Sequence, residues 1–283
     1  MSFSGLFSIG LSGLSAFSTG LEAVSSNIAN SQTTGYKRVR TDFADLLPTN
    51  EPALGRSSGA GVIGGGVAAV SRHLIGEQGA LARTNNDTDI AVSGEGFFVV
   101  APDAAGNAAF LFTRAGDFTA DAFGNLVNSS GYYLQGAGAG GSASLQSLQT
   151  INLNRAPAGV DASTLGALTG VEIAADGAVN ASYANGAMHT IYRIPLALFV
   201  NPDGLETAGR SAFRNTTLSG DARLLAAQAD GAGAIEGSAL EISTVDIGQE
   251  FSTLIATQRA YSTASRIIST ADELWRTLVG TAA

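Results

Sequence analysis

His73 and His189 are the only histidines of this chain, and they are its best candidates for metal binding or acid–base work. Neither stands in an HExxH spacing, and with no cysteine in the chain no thiolate can complete a site. The lack of cysteine also excludes disulfides and iron–sulfur clusters. Asn85-Asn86-Asp87-Thr88-Asp89 begins like a calcium loop, in which oxygen ligands alternate along the chain. Its sixth position is Ile90 where a glycine must turn the backbone, and its twelfth is Gly96 where a bidentate Glu belongs. The segment reads as a turn before a strand. Gly64-Gly65-Gly66 lacks the Lys-Ser/Thr of a phosphate loop, and Gly94-Glu95-Gly96 lacks a third glycine at the right offset. These residues give no catalytic, cofactor or metal constellation. The chain reads as a non-enzyme.

The chemistry with real periodicity is apolar and sits at the two ends. Phe7, Leu14, Leu21 and Ile28 recur every seven residues, interleaved with Phe3, Gly10, Phe17 and Val24. Ile247, Leu254, Tyr261, Ile268 and Trp275 do the same at the other end, with Phe251 and Leu278 widening the stripe. A seven-residue repeat keeps one seam of a helix facing a partner helix. The spacing predicts coiled-coil-like terminal helices that need each other, with an assembly seam along those nine residues. Leu254, Tyr261 and Ile268 are expected against the N-terminal helix or its counterpart in another subunit, near Leu14 and Leu21. Two amphipathic helices packed on a single core would carry the same pattern.

Composition narrows the class. The 283 residues are enough for a real core and two or three compact units, and an apolar content of 45% excludes disorder. The net charge of −9, with only 15 scattered Lys and Arg, speaks against nucleic acid and against an anionic membrane surface. No charge occurs before Glu22, yet half of that opening is Ser, Thr or Gly, which argues against a membrane span. Nothing basic precedes Lys37, so no general secretory signal is expected.

Proline and turn placement set the organisation. All six prolines lie between Pro48 and Pro202, leaving both ends free to be helical. The pattern predicts helices over 4–29 and 246–279, about 39 and 51 Å long at the usual rise. Ser243 with Asp246 resembles an acidic capping box that would start the second helix. Between them, Ile90–Val92, Phe97–Val100, Phe110–Thr113, Tyr132–Leu134, Val171–Ile173 and Ile191–Val200 read as strands. Turns are expected at Asp121–Asn125, Asp176–Gly177 and Asn185–Gly186. The expected fold is α+β: residues 1–30 and 243–283 form a discontinuous helical domain. A Gly-rich linker spans 31–70, an antiparallel β domain 71–145 and 196–242, and a small insertion or extension 146–195. Gly64, Gly65 and Gly66 are candidate hinge residues, with close packing between subunits as the competing role.

Five blocks, in order, carry a resemblance. They are Asn27-Ile28-Ala29-Asn30 with Thr34-Gly35-Tyr36-Lys37-Arg38; Thr84 through Phe98; Thr113-Arg114-Ala115-Gly116-Asp117-Phe118; Asn201-Pro202-Asp203-Gly204-Leu205; and Gly237–Glu241 with Gln258-Arg259-Ala260-Tyr261. Together they resemble the signatures of flagellar axial proteins. The resemblance implies a helical homo-polymer of many copies, with the terminal helices lining a central channel. It implies export through the flagellar type III apparatus without a cleaved signal, and a place in the bacterial flagellum, in hook or basal body. Neighbours implied are the distal rod protein, the hook cap and the hook-filament junction proteins. Within the family, the opening Met1-Ser2-Phe3-Ser4 looks most like the hook protein. The short 146–195 stretch, with little room for a further outer domain, resembles the distal rod protein. Hook is the reading favoured, a torque-transmitting tube around an export channel.

Overall fold

The computed structural model describes residues 3–46, 65–106, 109–141, 144–157, 159–160 and 165–281. The chain divides into two compact units, each built from separated segments. Unit 1 comprises residues 1–31, 38–73 and 245–283; unit 2 comprises 32–37 and 74–244. The architecture is α+β.

In unit 1, helix α1 runs Phe3–Ala29, and with no proline nearby nothing breaks it. It stops at Asn30, whose N–H is shared between Ser26 and Asn27 carbonyls, and whose side-chain amide also donates to Ser26 O. Helix α2 runs Ile247–Thr281. Its cap is Asp246, whose Oδ1 accepts from Gln249 N–H at 3.0 Å, so the start lies after Asp246 and not at Ser243. A carboxylate at the cap satisfies an orphan donor and sits at the positive end of the helix dipole. Of the stretch 31–70 expected as a linker, residues 47–64 lie outside the described residues, and 39–45 and 67–70 belong to a hairpin. Strands β1 (Val39–Asp45) and β2 (Val67–His73) pair antiparallel, in register from Val39 opposite His73 to Asp45 opposite Val67. Gly65 and Gly66 continue that ladder by bonding to Leu46; Gly64 lies outside the described residues.

Unit 2 holds the remaining strands. They are β3 (Leu81–Arg83), β4 (Ile90–Ser93), β5 (Phe97–Ala101), β6 (Leu111–Thr113), β7 (Phe118–Ala120), β8 (Leu126–Asn128), β9 (Tyr133–Gly138) and β10 (Gln149–Thr150). Beyond them come β11 (Leu168–Ile173), β12 (Ala178–Tyr183), β13 (Met188–Arg193), β14 (Pro195–Leu198), β15 (Glu206–Thr207), β16 (Ala212–Arg214), β17 (Arg223–Ala226), β18 (Ala234–Gly237) and β19 (Ala239–Glu241). The main sheet runs β11-β12-β13-β9-β5-β6-β16-β15, and every pairing is antiparallel. Strands β11, β12 and β13, within the 146–195 stretch read as a small insertion or extension of the β domain, join the main sheet through Tyr192 opposite Gly138. Gly177 and Gly186 take the positive φ their tight turns require. The single strand expected over Ile191–Val200 is two. Pro195 has no N–H to donate, so β13 ends at Arg193 and β14 pairs instead with β5 and β17. The core beneath is Phe98, Phe118, Leu126, Leu134, Ile151 and Leu196, each without solvent exposure.

Because unit 2 has its own sheet and core, deleting residues 1–30 should leave it folded. We expect the β signature in circular dichroism and the slow-exchanging amides of Phe98–Val100 to survive. Loss of both would show that unit 2 cannot stand without α1.

Candidate assembly surface and the buried clasp

Within unit 1, α1 and α2 meet through small residues. On α1 the buried positions are Gly10, Gly13, Ala16, Gly20, Ala23, Val24 and Asn27; on α2 they are Glu250, Ala264 and Ala271. A Cβ on Gly10 would fall 2.8 Å from Ile268 Cγ1, and one on Gly20 would fall 3.4 Å from Thr257 Cγ2. Only residues without bulk allow so close an approach. The large heptad residues lie beside this contact. Phe7, Ile247, Tyr261 and Trp275 are exposed, Phe7 at 44% and Trp275 at 52%. Leu14, Leu21, Ile28, Leu254 and Ile268 are half-buried. Of the expected partners, Ile268 meets Gly10 on α1 and Tyr261 faces outward. Ile9, Leu11, Phe251, Ile255 and Leu274 are exposed as well. A cleft of about 450 Å³, lined by Ile9, Phe17, Val67, Ala264 and Ile267, opens beside the helix contact.

Side chains tie the hairpin to the helices. Asn27 clips the backbone of Val39 at both ends: its Nδ2 donates to the carbonyl and its Oδ1 accepts the N–H, each at 2.8 Å. That is the pairing a neighbouring strand would supply. Arg38 Nε donates to the buried Glu250 Oε1 at 2.7 Å, and Phe43 stacks at a tilt on Phe17 with centroids 5.7 Å apart. Gly66 has φ +116°, and a Cβ there would lie 2.3 Å from Ser12 Oγ. Gly66 therefore has a packing reason to be glycine. Across the hairpin, hydrogen bonds from Arg72 and then Arg40 hold the Asp42 carboxyl below its ordinary range.

The most tightly bound polar group is in unit 2, and the sequence patterns did not disclose it. Glu241, the last residue of β19, is fully buried. Its Oε1 accepts from Lys37 Nζ at 2.6 Å and from Gly79 N–H at 2.8 Å, while Oε2 is 3.2 Å from Arg114 Nη1. Lys37 Nζ also donates to Glu77 O, and Arg114 Nη2 to Gly94 O at 2.8 Å. The Arg114 guanidinium lies 5.0 Å from the Phe97 ring centroid. Burial pulls the pKa of Lys37 and of Arg114 down, opposed in both by the Glu241 charge. The backbone closes the same knot. Gly35 N–H donates to Glu241 O at 2.8 Å, and a Cβ on Gly35, at φ +65°, would lie 2.5 Å from Ala115 N. The only signal in the sequence was one lysine, one arginine and one glutamate in three of the quoted blocks.

The residues first weighed for catalysis have plainer places. His73 ends β2, and His189 lies in β13 with its ring 6.3 Å from Tyr183. Asn85–Asp89 is a turn in which Asn86 Nδ2 donates to Asp89 Oδ1. Among the described residues no three His, Asp or Glu gather as a metal site, and no helix is long and apolar enough to cross a membrane.

Unit 2 is closed by an ionic clasp and the helix pair of unit 1 carries exposed apolar flanks, and neither offers a catalytic constellation among the described residues. Three family profiles match: "Flagella basal body rod protein" over residues 7–37, "Flagellar hook protein FlgE/F/G D1 domain" over 91–181, and "Flagellar basal body rod FlgEFG protein C-terminal" over 236–281. The chain is 28% identical to the flagellar hook protein FlgE of Brucella abortus over an aligned length of 402, covering 99% of both. It is 35% identical to the flagellar basal-body rod protein FlgG of Caulobacter vibrioides over 271 residues, 93% of this chain and 94% of that one. The FlgG of Agrobacterium fabrum is 34% identical over 275 residues, 94% of this chain and 95% of that one. The chain belongs to the flagellar hook and rod protein family. It is a structural protein of the bacterial flagellum and not an enzyme.

Replacing Glu241 by Gln keeps the shape but leaves two buried cations facing a neutral amide. We expect a loss of about 3 kcal/mol or more in denaturant unfolding of unit 2. A loss below about 1 kcal/mol would mean that the clasp is dispensable.

Proposed function

We propose that this chain is the subunit of the flagellar hook, a tube that carries motor torque to the filament around a central export channel. The observation that carries the assembling role is the exposed apolar flank of the helix pair. A monomer in water does not keep Phe7, Leu11, Phe251 and Trp275 uncovered on adjoining helices without a partner for them. The seam formed by Phe7, Leu14, Leu21, Ile28, Ile247, Leu254, Tyr261, Ile268 and Trp275 is then covered by neighbouring copies. The hook assignment is supported by the match along nearly all of FlgE and by the hook-like opening residues. The distal rod is the second reading, and a specific observation favours it. The hook alignment extends well past the 283 residues here, whereas the rod alignments fit this chain's own length at higher identity. Partners on this reading are the distal rod protein, the hook cap, the hook-filament junction proteins and the type III export apparatus.

Electron microscopy of material sheared from cells separates the two, a curved tube for the hook and a straight one for the rod. In the same cells Leu21→Asp should be exported but not incorporated, because a carboxylate in an apolar seam costs several kcal/mol. Normal tubes from that variant would remove Leu21 from the seam.

The hinge belongs to the hook reading. Gly64, Gly65 and Gly66 are its candidates; a Cβ on Gly66 would clash with Ser12, so the test is made at the other two. Changing Gly64 and Gly65 to Ala should straighten the tube and slow swimming with length unchanged. A double variant that bends and swims like the parent would exclude the joint.

A further inference from the structure

We propose that Phe123 is an anchor between subunits, entering a pocket on unit 2 of a second copy of this chain; this rests on the subunit reading above. Phe123 sits at the tip of the β7–β8 turn and is 77% exposed, so its own chain does not cover it. The loop beneath is ordered far beyond what a surface turn needs. Asp121 Oδ1 accepts from Phe123 N–H and from Asn125 N–H, each at 2.8 Å, and Oδ2 accepts from Asn125 Nδ2 at 3.0 Å. Phe123 O in turn accepts from Asn152 Nδ2 at 3.0 Å and from Asn154 Nδ2 at 3.1 Å. These bonds hold the Asp121 carboxyl below its ordinary range, so the loop is anionic at neutral pH. With the backbone of Phe123 braced before contact, only the ring's own rotamers have to be ordered on docking, which suits an interface anchor.

The receiving pocket has a volume of about 360 Å³ and is lined by Ala137, Ala139, Gly140, Ile194, Pro195 and Ala226. At its mouth stands Arg193, half-exposed, with Nη1 3.6 Å from Asp176 Oδ2. A guanidinium there can take the face of a docked ring and meet the negative charge of the incoming Asp121. Asp176 bears the opposite sign, so the loop must dock on the arginine side. Knob and pocket are different patches of one unit, which makes the contact heterologous. Such a contact passes from copy to copy and builds an open helical polymer where its rotation does not close a ring.

The cysteine-free chain allows a direct test. Both sites accept a change: Phe123 is exposed, and a Cβ on Gly140 meets nothing within 4 Å. Assembled above the critical concentration that loss of the ring raises, tubes of full-length Phe123→Cys/Gly140→Cys should give a ladder of disulfide-linked oligomers on mild oxidation. Tubes from either single variant should give none. Normal tubes with no ladder from the double variant would overturn the anchor while leaving the subunit reading intact. Failure of the parent chain to form any tube would sink both. As a second measure, Phe123→Ala and Gly140→Trp should each raise the critical concentration for assembly roughly tenfold, the effect of losing one interface anchor. Unchanged critical concentrations in both variants would also overturn the proposal.

Discussion

Unit 2 depends on one buried carboxylate. Glu241 joins residues that lie 204 and 127 positions away in the chain, and it satisfies two cations and a backbone N–H at once. Bringing such distant segments together costs loop-closure entropy before any contact offsets it. The clasp therefore needs the strands that carry it to hold these segments together. Its energetics are asymmetric. An intact buried ion pair adds little over an apolar substitute, yet a broken one leaves a desolvated charge that costs several kcal/mol. The clasp acts mainly as a selector. Chains in which the 32–37 segment, the β6 end and β19 have not met carry an uncompensated charge inside unit 2.

Unit 1 follows the opposite logic. Its helices touch through Gly10, Gly13, Ala16, Gly20 and Ala264, which bury little apolar area per residue and contribute correspondingly little stability. Several larger side chains, Phe7, Leu11, Phe251 and Trp275 among them, remain exposed, where a single chain gains little from them. A helix pair built this way is marginal alone and gains strength from neighbours. Polymerisation then stabilises the helices themselves, because any contact made only by the folded form shifts the folding equilibrium.

Element types were legible where local chemistry dictates them. Proline-free ends gave helices, and Asp176-Gly177 and Asn185-Gly186 gave turns because their glycines supply positive φ. The seven-residue repeat points to large residues that are exposed or half-buried in a single chain, apart from Ile268, which meets Gly10. The close contact falls to glycine and alanine at neighbouring positions, which an apolar tally weights least. The β1–β2 hairpin was missed because Val39–Asp45 is mostly polar and its partner lies beyond a glycine-rich stretch. The clasp was missed for a deeper reason. Lys37, Arg114 and Glu241 show no spacing to read, and only the assembled sheets bring them together.

The quoted blocks and the exposed apolar surface are largely separate sets of residues. Gly35, Lys37, Arg114 and Glu241 lie in the blocks, and each serves the closure of one chain. Asn27 does the same in unit 1 by holding Val39. Phe7, Leu11, Phe123 and Trp275 lie outside the blocks, and each faces solvent. A fold maintained by one set and an exterior written in the other can vary independently. Substitution of an exposed residue alters which copies fit together and at what angle, without disturbing the buried charge that keeps unit 2 closed. Hook and rod relatives can therefore both match this chain along most of its length and still build different polymers. On this division, the residues free to tune contacts between copies are mainly the exposed ones outside the blocks, with Tyr261 an exposed exception within them.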